Sequence, residues 1–309
     1  MLGGFPMVFF RALKSSVEST LKPRINTEET ILIISHDVAT LKLIGEMFAL
    51  HEDAFIFNEF LEAASNDSES EDLWTEDAAE AIDSASKCDL EQILMNYSDW
   101  SKSKNGTNVD ELTERCAVSR RILISSKFER LSDVPLRLHQ KVFYIILDPR
   151  QAVVGTGYLC CPLSVAIEHI LRQSKDPCED KTTAEIETYC QMMRDNLDYL
   201  YDNDKLQMSH NLKVVRIEDF LVNSRQLAFE MIDFAHFGPS GHLNDWLNTH
   251  LNEETEKTFL SWRTSLSYNQ VAVIEHTCKD VLKEIGYSLA NNIHVFEDAK
   301  IRLVFLSFS

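Results

Sequence analysis

One short run limits the possible folds more than any other. Thr30-Ile31-Leu32-Ile33-Ile34-Ser35 is apolar at consecutive rather than alternate positions. After a few polar residues, Leu41, Ile44, Met47 and Phe48 recur at helical spacing. A run apolar on both sides is a strand covered on both faces, and such strands belong to parallel sheets whose crossovers are helices. Runs of the same kind recur at Arg121–Ser125, Lys141–Leu147 and Leu212–Ile217. Helical patterns cover Ala184–Tyr201, Ser224–Phe237 and Tyr268–Ile285. The alternation predicts an α/β fold, a central parallel sheet flanked by helices. The patterns bound a domain over residues 29–290, with an extension over 1–28 and a tail over 291–309.

Charge narrows the function classes. Thirty Lys and Arg against 49 Asp and Glu give 30 − 49 = −19, a surface that repels nucleic-acid backbones and anionic membranes. An anionic ligand therefore requires a local positive site. Eight carboxylates and no Lys or Arg lie between Asp67 and Asp83, which predicts a hydrated acidic insertion over 66–86. Ser101–Asn108, with its Asn105-Gly106 pair, reads as a second polar loop. Glycosylation acceptor patterns begin at Asn66, Asn96 and Asn105 and matter only in a secreted chain.

The seven cysteines are Cys88, Cys116, Cys160, Cys161, Cys178, Cys190 and Cys278. They are consistent with disulfides in an oxidising compartment or with a fully reduced set. None is spaced as in a zinc site, so no metal is expected. The apolar start MLGGFPMVFF is too short to span a bilayer. The expectation is a soluble chain, or one whose membrane anchor lies upstream.

Chemistry is sought where the first strand meets its helix, because the free amides and dipole of a helix start attract anions. The turn Ser35-His36-Asp37-Val38-Ala39-Thr40-Leu41-Lys42 offers two hydroxyls, Ser35 and Thr40, and one cation, Lys42. It has no glycine, and Asp37 opposes an anion. No Gly-x-Ser-x-Gly, Gly-x-x-x-x-Gly-Lys-Ser/Thr or Gly-x-Gly-x-x-Gly pattern occurs.

Further residues, taken in order, resemble the carbohydrate sulfotransferases, especially the galactose/N-acetylglucosamine 6-O type. Ile44-Gly45-Glu46-Met47-Phe48 is close to the family's Leu-Gly-Glu-Leu-Phe. His51-Glu52-Asp53 through Asn58-Glu59 looks like its His-Pro-Asp … Tyr-Glu-Pro segment. Lys127-Phe128-Glu129-Arg130-Leu131 is similar to Lys-Thr-Val-Arg-Leu, and Asp148-Pro149-Arg150 to Arg-Asp-Pro-Arg-Ala. Val215-Arg216-Ile217-Glu218-Asp219-Phe220, Trp262-Arg263 and Ile285-Gly286-Tyr287 follow in the family's order. Cys88, Cys116 and Cys190 fall where the family carries cysteines.

The resemblance implies a P-loop-like sulfotransferase fold and a disulfide, with Cys88–Cys116 as the pairing to test. It implies transfer of a sulfuryl group from 3′-phosphoadenosine-5′-phosphosulfate to a carbohydrate hydroxyl, on a glycoprotein, proteoglycan or glycosaminoglycan acceptor, in the Golgi lumen. The alternative is an inactive relative that binds a carbohydrate or a partner. At the turn, the family's arginine, glycine and paired serines are replaced by Val38, Thr40, Leu41 and Lys42. Leu147 replaces the arginine before Asp-Pro-Arg. Losing three charged phosphate contacts at ~1.5–3 kcal/mol each predicts cofactor binding weaker by ~10³-fold or more.

The residues assigned on this reading each carry a plainer alternative. Glu59 is the base candidate, just past the apolar Ala54–Phe57 run, or else a loop carboxylate. Lys42 is the cation at the helix start, or a solvated lysine, and His36 a donor to an anion, or a surface residue. Ser35, Thr40, Lys42, Thr156, Lys127 and Arg130 are the cofactor-binding candidates, together with Arg150. Arg150 binds the 3′-phosphate or pairs with one of the many carboxylates. Glu218-Asp219 and Trp262-Arg263 read as structural.

Overall fold

The computed structural model describes residues 30–58, 71–96, 108–126, 131–133, 140–155, 177–201, 211–290 and 294. Five strands, β1 (Thr30–Ile34), β2 (Ala54–Asn58), β3 (Arg120–Ser125), β4 (Gln140–Ile146) and β5 (Leu212–Arg216), form one sheet in the order β2-β3-β1-β4-β5. Every pairing is parallel, with Ile33 opposite Ile124 and Ile34 opposite Tyr144. All five residues of β1 are buried, as the consecutive apolar run requires of a central strand covered on both faces.

The two faces are covered by different helices. On one, Phe143 meets Phe48 of α1 (Val38–Phe48), with ring centroids 5.6 Å apart. It also meets Phe234, at 5.1 Å, at the end of a helix over Ser224–Phe234. Gly45 lets α1 lie close to β3, since a Cβ there would sit 2.6 Å from Ile124 Cδ1. On the other face Tyr144 points toward a helix over Pro177–Tyr201, where Asn196 Nδ2 donates to its hydroxyl at 2.8 Å. Burial pushes the Tyr144 phenol up to about 12. Asn196 Oδ1 also accepts the Leu131 amide at 2.7 Å, which ties the chain beyond β3 to the same helix.

The acidic run differs from its expectation. Glu71–Ser86 is a helix, α2, and not a loop. Ala78, Ala81, Ile82 and Ala85 form a buried stripe at i, i+3, i+4, i+7, and this stripe seats the helix while Glu80 stays exposed. At its end, the hydroxyl of Thr30 in β1 donates to Ser86 Oγ at 3.1 Å. Further described helices up to and just beyond β4 are α3 (Leu90–Asn96), α4 (Val109–Ala117) and α5 (Pro149–Gly155), with a short 3-10 turn at Leu131–Asp133. Beyond them come α6 (Pro177–Tyr201), α7 (Ile217–Val222), α8 (Ser224–Phe234), α9 (Leu243–His250), α10 (Glu253–Phe259), α11 (Trp262–Ser265), α12 (Tyr268–Thr277) and α13 (Lys279–Ile285). The single helical pattern over Tyr268–Ile285 is thus two helices meeting at Cys278.

Among the described residues two disulfides staple these layers. Cys88–Cys116 joins the end of α2 to α4, and Cys190–Cys278 joins α6 to the α12–α13 junction. They close segments of 28 and 88 residues, each contributing on the order of 3–5 kcal/mol if chain entropy alone is counted. Cys160 and Cys161 lie outside the described residues. Among the described residues no helix is long and apolar enough to cross a membrane.

Candidate active site

Ligands of open parallel sheets bind outside the carboxyl ends of the strands, where neighbouring connections leave on opposite faces. β1 and β4 form that point here. From β1 the chain passes into α1 on the Phe143 face; from β4 it continues through α5 to α6 on the Tyr144 face. The turns at Ser35–Asp37 and Leu147–Pro149 therefore leave adjacent strand ends and part company.

At the β1 turn, Asp37 is the N-cap of α1. Its Oδ2 accepts the Thr40 amide at 2.7 Å and the Thr40 hydroxyl at 2.6 Å. Ser35 Oγ accepts the Asp37 amide at 3.3 Å. A carboxylate thus already engages one amide and one hydroxyl of the helix start, and Thr40 is turned to that carboxylate. The amides of Val38 and Ala39, first in the helix, have no intrahelical carbonyl to meet. Lys42 is exposed one turn on and forms no ion pair among the described residues.

His36 goes the other way. Its ring lies edge-on to Tyr189 of α6, centroids 5.9 Å apart, and its Nε2 is shielded from solvent with no hydrogen-bond partner. Burial lowers its pKa to about 4, so the ring is neutral at physiological pH. His36 and Lys42 flank one turn yet face different surroundings.

Lys42 lines a cleft of about 530 Å³ between α1 and the ends of β2 and β3. Val38, Leu41, Ile56 and Ile124 form apolar walls, and Glu46, Asn58 and Ser126 add polar groups. Glu59 and Lys127 directly follow Asn58 and Ser126 in sequence. Glu59, Lys127, Arg130 and Thr156 all lie outside the described residues.

At the β4 turn the arrangement is closed. Arg150 is fully buried. Its Nε and Nη2 donate to Asp148, and its Nη1 donates to Glu275 at 2.7 Å and to the Ser288 carbonyl at 3.0 Å. The guanidinium lies 4.3 Å from the Trp262 ring centroid. Burial works against the charged form, yet Asp148 and Glu275 outweigh it and hold Arg150 protonated. Of the two roles open to Arg150 in the sequence, carboxylate pairing is the one its geometry satisfies.

The same network fixes Asp148 from below. Glu218 Oε1 accepts the Asp148 amide at 2.9 Å, and Glu218 Oε2 accepts the Tyr287 hydroxyl at 2.6 Å. Burial, and then the Asp148 charge, raise the Glu218 carboxyl to about 7. Burial and Glu218 drive the Tyr287 phenol well above its ordinary value. Arg216 binds Asp219 and donates Nη1 to the Ile285 carbonyl at 2.9 Å. Removing one partner of such a buried pair strands the other, so the network holds the β4 turn in one shape. Glu218, Asp219, Trp262 and Arg263, which read as structural in the sequence, belong to or border this network. Glu275 is not marked out by the sequence, where its only signal is a carboxylate within an otherwise apolar helix face.

No protein-family model matches the chain. In sequence it is 26% identical over 104 residues to carbohydrate sulfotransferase 1 of Mus musculus; the match covers 29% of this chain and 25% of that protein. The chain resembles the carbohydrate sulfotransferases. Among solved structures, a sulfotransferase domain from the Synechococcus PCC 7002 olefin synthase is 13% identical. It covers 84% of this chain and 95% of its own, with a TM-score of 0.49. A sulfotransferase domain from the curacin biosynthetic pathway is 12% identical over 84% of this chain and 98% of its own, with a TM-score of 0.48. Retinol dehydratase, solved with retinol and PAP, is 14% identical over 89% of this chain and 86% of its own, with a TM-score of 0.42.

Proposed function

We propose that the chain transfers a sulfuryl group from 3′-phosphoadenosine-5′-phosphosulfate to a hydroxyl of a carbohydrate acceptor. One observation carries this reading. The α1 start, with Lys42 one turn along it, opens at the β1–β4 switch point beside a cleft large enough for an acceptor. The partial sequence match to a carbohydrate sulfotransferase supports the reaction class.

We assign the helix start to the donor's 5′ end, with Asp37 as the group that must move. The Val38 and Ala39 amides, Ser35 and Lys42 would hold the phosphosulfate, once Asp37 gives up its place at the helix cap. When bound, the donor supplies an activated sulfuryl group and a phosphate leaving group. Lys42 offsets the negative charge that grows at the helix start. Glu59, next after the cleft residue Asn58, is the base proposed to take the acceptor proton, and His36 stays neutral behind the turn. Thr156 remains a candidate for the 3′-phosphate, and Lys127 and Arg130 for the cofactor or a sulfated sugar, while Arg150 positions the β4 turn.

A second reading has its own observation. Asp37 occupies the anion position of α1, as in a protein that keeps the fold and binds a sugar or a partner without transfer. Incubation of the full chain with sulfur-labelled donor and galactose- or N-acetylglucosamine-terminated acceptors separates the two. Label in the sugar supports transfer. Acceptor binding without label, at any donor concentration, supports the second reading.

A further inference from the structure

The cleft beside α1 carries information about the acceptor that the reaction class does not. Its walls are Val38, Leu41, Ile56 and Ile124, and its polar groups are Lys42, Glu46, Asn58 and Ser126. Val38 is 58% exposed, an apolar side chain standing in water at the mouth. A volume of about 530 Å³ lies within the range for small-ligand sites, which are mostly apolar with a few placed hydrogen-bonding groups.

The charged lining residues, Lys42 and Glu46, cancel each other, and the chain as a whole carries −19. A polyanionic acceptor would meet repulsion on approach and, among the described lining residues, no surplus cation on arrival. Leu41 and Ile124 at its floor are packed in the core, and a free sugar, polar over its whole surface, would leave Val38 and Ile56 without an apolar partner.

From this we infer that the cleft takes a neutral hydroxyl-bearing acceptor with an apolar body, such as a glycoside with an alkyl aglycone. The apolar part lies on Val38, Leu41, Ile56 and Ile124, and the hydroxyl-bearing part lies toward Asn58, Ser126 and Lys42. The inference deepens the transferase reading by naming its acceptor class. It rests on that reading only for the word acceptor, because binding is measured without any donor.

The test titrates the full chain with octyl β-D-galactopyranoside, below its micelle concentration, and with methyl β-D-galactopyranoside. Each titration is repeated on Val38→Asp and on Ile56→Asn, with folding checked by circular dichroism. The octyl glycoside is expected to bind at least tenfold tighter than the methyl glycoside, since each buried methylene adds to binding. Val38→Asp, at an exposed helix start, is expected to fold and to cut that preference at least threefold, with Ile56→Asn cutting it further. Equal affinities for the two glycosides, or a preference that Val38→Asp leaves intact, would overturn the inference. A parallel titration with 3′-phosphoadenosine 5′-phosphate keeps the readings apart. Octyl preference without nucleotide binding supports the cleft and counts against transfer, and nucleotide binding without octyl preference does the reverse.

Discussion

The two turns at the sheet edge leave neighbouring strands and have opposite characters. The β1 turn is open: Val38 and Lys42 are exposed, and its one charged cap, Asp37, faces the helix start. The β4 turn is sealed, with Asp148, Arg150, Glu218 and Glu275 all buried and bonded to one another. Similar position in a fold therefore does not mean similar work. The described charges at β4 are bonded to one another, and of the two turns only that at β1 leaves a described cation, Lys42, exposed.

The sharpest way to break this contrast is Arg150→Met. It strands Asp148 and Glu275 in the core, and a loss of about 3–5 kcal/mol is expected in urea unfolding. A loss under ~1 kcal/mol would mean that the network is not what holds the turn.

The next effect is pH dependence, and the two turns contribute with opposite signs. Glu218, raised to about 7, binds its proton more tightly in the fold than in the unfolded chain. Its contribution is full below the ordinary carboxyl value and is lost as pH rises through about 7. His36, lowered to about 4, does the reverse, and its contribution disappears as pH falls from its ordinary value through about 4. Each amounts to on the order of 1–3 kcal/mol. Glu218→Gln should remove the decline in melting temperature toward pH 7, and His36→Asn should remove part of the acid-side decline. Unchanged pH profiles in both variants would contradict the burial assigned to these groups.

Asp37→Asn tests the open turn. Asparagine caps helices as well as aspartate does, so stability should change by only a few tenths of a kcal/mol. Affinity for 3′-phosphoadenosine 5′-phosphate should rise about tenfold, ~1.4 kcal/mol. The smallest effect is that of Lys42→Ala, which leaves stability within ~0.5 kcal/mol and weakens nucleotide binding about fivefold.

The strands were legible because they are continuous apolar runs. Thr30–Ile34, Arg120–Ser125, Gln140–Ile146 and Leu212–Arg216 each fall within about a residue of the sequence-based run. The helix over Glu71–Ser86 was not, because six carboxylates within it masked a stripe made largely of alanines. At the site, the turn itself could be found, but not the direction in which its side chains point. Nothing local distinguishes an Arg150 that meets a phosphate from one that meets Glu275, since Glu275 lies 125 residues away and only the fold joins them. Asp37 was visible as an opposing charge, yet its role as the cap that turns Thr40 inward depends on the helix beginning at Val38.

Isothermal calorimetry of the full chain with 3′-phosphoadenosine 5′-phosphate bears most directly on the central claim, that the helix start beside β4 is a nucleotide-phosphate site. Saturable heat in the micromolar range, weakened by Lys42→Ala and strengthened by Asp37→Asn, is the predicted result. No detectable heat at millimolar nucleotide, in the wild type and in Asp37→Asn alike, would contradict it.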